Sequence, residues 1–177
     1  FNLTPDTPYT YRVWAINAGG ESLWSEVFTQ STLPNPPVTP TNLIGIPSSS
    51  YITLVWNSVV GATAYEIMPD GEEPYINNGA GTSYVHSGLL PNTHHTYRVR
   101  AVNSGGKSDW TTEIGVNTLL ESPAIPANLS GSATHTEITL TWDAVQNAAY
   151  NIEVDGISIF CNTNTTYIHT GLLPGIE

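Results

Sequence analysis

The sequence predicts an all-β protein built as tandem sandwiches of short strands. Three observations lead there. Apolar and polar residues alternate with a period of two in several short runs, as in Ile52-Thr53-Leu54-Val55-Trp56. Turn-forming pairs such as Asp70-Gly71 and Gly105-Gly106 separate these runs. The text also repeats, because YRVWAINAGGESLW at Tyr11–Trp24 returns 86 residues later as YRVRAVNSGGKSDW at Tyr97–Trp110. No stretch of about ten residues has a helical period.

Each predicted element follows from that alternation. Tyr9, Tyr11, Val13 and Ala15 share one face of a strand and Trp14 lies on the other; Tyr97, Val99 and Ala101 repeat the inward face, with Arg98 and Arg100 outward. Between the two copies, PTNLIG at Pro40–Gly45 opens a second series that returns as PANLSG at Pro126–Gly131. Ile52, Leu54 and Trp56 are matched by Ile138, Leu140 and Trp142, and Tyr65 and Ile67 by Tyr150 and Ile152. TSYVHSGLLP at Thr82–Pro91 is matched by TTYIHTGLLP at Thr165–Pro174. The offset drifts from 86 through 85 to 83 along this series, as expected where loops between strands lose residues. A unit of this size is too long for a solenoid repeat and suits a small independent domain.

Composition narrows the function. Four basic residues stand against fifteen acids in 177 residues, a net charge of −11. That balance argues against nucleic acid and acidic membrane surfaces, which need basic partners. No apolar run reaches the ~18–20 residues of a membrane helix, and no signal peptide opens the chain. Phe1 begins in the middle of an element, so the expectation is a piece of a longer protein. The one cysteine, Cys161, excludes a disulfide within the chain, and cysteine avoidance is compatible with a secreted bacterial protein.

The order L-x-P-x-T, then Y-x-V-x-A-x-N-x-x-G-x-S, then P-x-x-P and a strand ending in L-x-W resembles fibronectin type III domains over almost the whole chain. The resemblance implies immunoglobulin-like sandwiches of seven strands, three on four, with no disulfide. It places Trp56 and Trp142 in the core and puts Tyr9 in the family's corner-tyrosine position, where the hydroxyl ties the loop between the sheets. His95 stands in that position in the next unit, a departure from the pattern. The resemblance also sets the phase of the chain. Residues 1–33 are the last two strands of one domain, 34–119 a complete domain, and 120–177 the first five strands of another. The junctions LPNPPVTP and LLESPAIP are rich in proline and lean to extended, semi-rigid conformations, like beads on a stiff string.

No constellation of catalytic residues emerges. His86, His94 and His95 lack an acid or cysteine at metal-ligand spacing, and adjacent strand residues face opposite ways, so neither a metal site nor a cofactor is expected. His86 and His169 follow Tyr84 and Tyr167 at matching positions; the expectation is a half-buried ring satisfied by backbone, against a pH-sensing role. Asp70–Glu73 reads as a hairpin turn rather than a calcium loop, and neither G-x-S-x-G nor Arg-Gly-Asp is present. Trp14, Trp24 and Trp110 are candidate ligand contacts for sugar, weighed against cross-strand packing. Asn2, Asn128 and Asn164 sit in N-x-S/T sequons, which matter only in an organism that glycosylates asparagine. The resulting expectation is a non-enzymatic, extracellular spacer or scaffold, secreted or at a cell surface, whose partners are neighbouring domains or copies of itself. The alternatives are a head-to-tail filament subunit and a binding module for polysaccharide or a cell-surface protein.

Overall fold

The structure is a computed structural model that describes residues 2–173. Phe1 and residues 174–177, which carry the outer ends of the first and last predicted segments, lie outside the described residues. The chain divides into two compact units, Phe1–Leu120 and Glu121–Glu177. Among the described residues every regular element is a strand.

The first unit opens with two interrupted strands that pair with each other. These are β1 (Pro8–Tyr11), β2 (Ile16–Asn17), β3 (Gly20–Glu21) and β4 (Phe28–Ser31). β1 pairs antiparallel with β4, and β2 with β3. A sandwich follows. One sheet holds β5 (Ile44–Pro47), β6 (Tyr51–Val55) and β9 (Ser83–Ser87) in the order β5-β6-β9. The other holds β7 (Ala64–Pro69), β8 (Ile76–Asn77), β10 (His94–Asn103), β11 (Gly106–Lys107) and β12 (Ile114–Asn117), with β10 between β7 on one side and β11 and β12 on the other.

Side-chain alternation explains why these segments are strands. Each presents one apolar face to the opposite sheet and one face to water. Ile52 and Leu54 from β6 meet Ile67 from β7 and Tyr97, Val99 and Ala101 from β10, and all six are 0% exposed. Trp56, just past β6, completes the core at 5% exposure, with its indole edge-on to Tyr65 at 5.5 Å. The Tyr65 hydroxyl accepts a hydrogen bond from the Val59 amide at 2.7 Å, which pins the loop after β6.

The second unit repeats the opening of that sandwich. β13 (Ser130–Ala133), β14 (Glu137–Thr141) and β17 (Thr166–Thr170) form one sheet, ordered β13-β14-β17; β15 (Tyr150–Val154) and β16 (Ile157–Asn162) form the other. Asp155 and Gly156, at φ 50° and 81°, make the tight hairpin turn between β15 and β16. Asp70 and Gly71 turn the chain in the same way, at φ 50° and 71°, but β8 pairs only from Ile76. Trp142, Tyr150 and the free Cys161 are buried together. The Trp142–Tyr150 edge contact is again 5.5 Å, and the Tyr150 hydroxyl accepts from the Val145 amide at 2.6 Å.

Identical residues end in different surroundings. Ile138, the counterpart of Ile52, is 37% exposed instead of 0%. Tyr11 and Val13, the counterparts of Tyr97 and Val99, are 47% and 70% exposed. By alternation and the repeat, Tyr9, Tyr11, Val13 and Ala15 are expected to face inward. In the structure Tyr11, Val13 and Ala15 are exposed, because β1 to β4 have no second sheet over that face.

The core arrangement yields an expected outcome for Trp56→Ala. The change should destabilise the middle sandwich by roughly 3–5 kcal/mol in denaturant unfolding. A loss under about 1 kcal/mol, the range of surface substitutions, would contradict the placement of this indole.

Candidate functional site

Three surfaces concentrate the polar and aromatic chemistry, and all have strands as supports. The first is the pole of the middle sandwich where β9 ends and β10 begins. Tyr97 buries its ring in the core, so its hydroxyl needs a partner there. His86 on β9 supplies it, with Nδ1 2.9 Å from the hydroxyl oxygen. The partner is a side chain and not the expected backbone group, because the phase of β10 turns the Tyr97 phenol inside the sheet toward His86. His95 Nδ1 donates to Asp70 Oδ2 at 2.9 Å, and its Nε2 lies 3.0 Å from Thr93 Oγ1. The Thr96 amide donates to the other Asp70 oxygen at 2.7 Å. The His86 and His95 rings meet edge to face at 5.7 Å.

The electrostatics of the pole follow from this packing. Burial holds the His86 imidazole below its ordinary pKa, and the neighbouring His95 pushes the same way. Burial also pushes the Tyr97 hydroxyl far up. Asp70 feels burial in the opposite direction, but the hydrogen bonds from His95 and the Thr96 amide outweigh it and leave the carboxyl lowered. His94 points away from this group and sits 2.5 Å from Asn117 Oδ1. The three histidines considered together in the sequence therefore do not converge. Among the described residues no group of three or more His, Cys, Asp and Glu side chains is placed to hold a metal ion.

At the first repeat, Tyr9 occupies the position of His95. Its hydroxyl accepts from the Thr4 amide at 2.8 Å, tying the preceding loop to β1. His95 keeps a contact with the preceding loop through Thr93 and adds one to the Asp70 carboxylate in the turn after β7.

The second surface is the outer face of β7, β10 and β11. The Arg100 guanidinium lies 4.2 Å over Trp110 and 4.7 Å over Tyr75, a double cation–π contact. Arg100 Nη2 also pairs with Glu66 at 2.6 Å, and Lys107 Nζ reaches the other Glu66 oxygen at 2.7 Å. Burial would raise the Glu66 carboxyl, but Lys107 and Arg100 hold it below its usual range. Trp110 is thereby engaged by its own sandwich. In the first repeat Trp14 stands in the place of Arg100 and Trp24 in that of Trp110. Their rings pack at 4.2 Å with a 57° tilt, and they remain 44% and 54% exposed. The structure brings these two candidate ligand contacts together and leaves Trp110 in a different partnership.

The third surface is the glycine loop between β10 and β11, whose role the sequence did not disclose. Asn103 Nδ2 donates to the Asn35 carbonyl at 2.9 Å and the Gly61 carbonyl at 3.2 Å, while its Oδ1 accepts from the Gly105 amide at 2.8 Å. A Cβ on Gly105 would stand 1.8 Å from the Pro34 carbonyl oxygen. The proline-rich junction is seated on this loop, and only glycine leaves room for it. Asn17 and Gly19 make the matching side-chain-to-amide bond at 2.7 Å.

The remaining sequence features are peripheral. Asn2, Asn128 and Asn164 are exposed, with Asn128 Nδ2 donating to Asp143 at 2.8 Å. In the second unit an open apolar groove of about 290 Å3 runs along Leu129, Leu140, Trp142, Tyr150 and Ile152. No helix among the described residues is long and apolar enough to cross a membrane.

Comparison with known proteins adds relatives but no family model, since none matches the chain. Contactin-3 of Mus musculus is 30% identical over 180 residues, which covers 93% of this chain and 18% of that protein. Fibronectin type-III domain-containing protein 3A of Mus musculus is 29% identical over 175 residues, covering 82% of this chain and 15% of that protein. The solved structure of chicken CNTN1 FN1-FN3 domains is 19% identical with a TM-score of 0.44, covering 97% of this chain and 67% of that one. The chain thus spans less than a fifth of the length of these two relatives. Its own architecture is all-β, with sandwiches of the fibronectin type III, immunoglobulin-like kind.

The polar pole generates a pH dependence. Because folding lowers the pKa of His86, the unfolded chain binds the proton more readily. Stability of the middle sandwich is therefore full above the ordinary histidine range and falls as pH drops through about 6.5 toward the lowered value. Unfolding midpoints measured between pH 8 and pH 5 should decline on the acid side for the native chain. His86→Phe should flatten that decline, and an equal slope in the variant would contradict the assignment to His86.

Proposed function

We propose that this chain is a segment of a cell-surface or secreted adhesion-type protein in which tandem fibronectin type III domains act as a non-enzymatic spacer. Residues 1–33 form the closing strands of one domain, 34–119 a complete domain, and 120–177 the opening strands of a third. One observation carries the reading. The two units repeat the same internal joints, with Trp56–Tyr65–Val59 reproduced as Trp142–Tyr150–Val145. Such repetition multiplies one mechanical module instead of building a single cleft.

Other features support it. The charged and aromatic groups of the middle sandwich are spent on internal ties, as in Glu66 with Arg100 and Lys107, and Asp70 with His95. The junction seated on Gly105 fixes how the chain enters its domain. Similarity to Contactin-3 favours the extracellular, adhesion-type setting. Partners in this reading are neighbouring domains and cell-surface proteins.

A second reading has one observation in its favour. The exposed Trp14–Trp24 pair has the character of a sugar platform. Two experiments separate the readings. Pulled through its two ends, the chain should give one cooperative event for residues 34–119, with a contour gain of about 30 nm at roughly 3.5 Å per residue. Passed over insoluble polysaccharide, it should elute unretained. Gradual yielding of residues 34–119 would sink the spacer. Retention that Trp14→Ala abolishes, with no loss of melting temperature, would establish the sugar platform instead.

A further inference from the structure

Asn78 is the one asparagine of the chain that is followed by glycine. Glycine sets no side chain beside its backbone nitrogen and leaves the backbone free to swing. Attack by that nitrogen on the preceding side-chain amide therefore meets the least hindrance in this pair. The pair follows β8 directly, on the turn that leads through Gly81 to β9.

The fold holds every group that this attack needs. Asn78 Nδ2 donates to the Gly81 carbonyl at 2.8 Å and to the Ser83 carbonyl at 3.0 Å. Gly81 leaves the space, since a Cβ there would stand 3.2 Å from Nδ2. The Gly79 N–H, which must lose its proton to attack, donates to Asn77 Oδ1 at 2.9 Å. The backbone on both sides is fastened to Tyr65: the Asn78 N–H donates to its carbonyl at 2.9 Å, and its own N–H donates to the Gly79 carbonyl at 2.8 Å. Tyr65 is in turn buried against Trp56. The second unit builds the same turn without this pair. Counted back from Thr82 and Thr165, Cys161 stands in the place of Asn78, and Asn162, at φ 53°, in that of Gly79, at φ 59°. The turn thus needs a residue at positive φ but not an asparagine before it.

We propose that Asn78 is a deamidation site that folding conceals and unfolding exposes, so that prolonged opening of this turn becomes irreversible. In the opened chain the Gly79 nitrogen attacks Asn78 Cγ. The new N–Cγ bond closes a five-membered imide, the Cγ–Nδ2 bond breaks, and ammonia leaves with the proton given up by Gly79. Water then opens the imide at one carbonyl or the other, giving aspartate or isoaspartate. Neither product fits the folded turn. A carboxylate has no hydrogens for the Gly81 and Ser83 carbonyls and sets its charge against both oxygens. Isoaspartate lengthens the backbone by one carbon between the two bonds to Tyr65 and breaks their spacing. The inference concerns the middle sandwich alone and does not rest on the spacer reading.

Peptide mapping by mass spectrometry, on the full chain held at mildly alkaline pH in buffer and in unfolding concentrations of urea, tests it. In urea Asn78 should convert ahead of every other asparagine. In buffer its conversion should be slower by about a hundredfold or more, because the reaction then waits on rare opening. Asn77→Ala, which frees the Gly79 N–H, should speed conversion in buffer and leave the rate in urea unchanged. Asn78→Asp should lower the denaturant midpoint of the middle sandwich, and chain deamidated in urea should not regain the native midpoint on dilution. Equal rates in buffer and urea overturn the inference, as does an earlier conversion of Asn103 or another asparagine in urea. An Asn77→Ala chain no faster in buffer, or an Asn78→Asp chain with the native midpoint, overturns it too. The comparison of rates needs no substitution, so it decides the matter even where Asn78→Asp fails to fold. Retention on polysaccharide bears on the spacer reading alone.

Discussion

The structure depends on the inward face of one strand. Tyr97, Val99 and Ala101 on β10 close the space between the sheets, and with them in place Ile52, Leu54 and Ile67 lose all contact with water. Burying each large apolar side chain is worth roughly 1.5–3 kcal/mol, so this single face supplies energy of the same order as the net stability of a small domain. The chain provides its own comparison. Where β14 and β15 lack such a neighbour, Ile138 stays 37% exposed and the core shrinks to Trp142, Tyr150 and Cys161 with partly buried surroundings.

The same strand organises the polar surfaces. Alternation puts Tyr97, Val99 and Ala101 inward and Arg98 and Arg100 outward, so one element serves the core and the charged face together. The Tyr97 hydroxyl, buried by that phase, is met by His86; the Arg100 guanidinium, turned out by it, is clasped by Glu66, Tyr75 and Trp110. Its two ends hold the junctions, with Asn103 and Gly105 seating Pro34 and Asn35, and Asn92 tied to Leu119.

The legible part of this arrangement was periodic. Ile52, Leu54 and Trp56 announce a half-buried strand by alternation, and the repeat at Ile138, Leu140 and Trp142 makes chance agreement improbable. The apolar character of Tyr11 and Val13 was equally legible, but their exposure was not, since alternation records which side faces a core and not whether the second sheet is present. Contacts between residues distant in sequence escaped the reading. Gly105 looks like any turn glycine until Pro34 is found against it. Trp110 resembles an exposed platform until Arg100 and Tyr75 cover it. His86 has no sequence neighbour that announces Tyr97 as its partner. In each case the partner lies on another strand, and period-two patterning has no information about which strand that is.

Residue-resolved amide hydrogen exchange on dilute chain tests the role of this strand face most directly. Exchange reports the free energy of local opening, which reaches the global value only where a core is closed. The amides of Ile52, Ile67 and Val99 should be protected to the level of global unfolding of the middle sandwich. Those of Ile138, Ile152 and Val13, in the same sequence contexts but without the second partner, should exchange faster by orders of magnitude. Equal protection of Ile138 and Ile52 would contradict the dependence of the core on the inward face of β10.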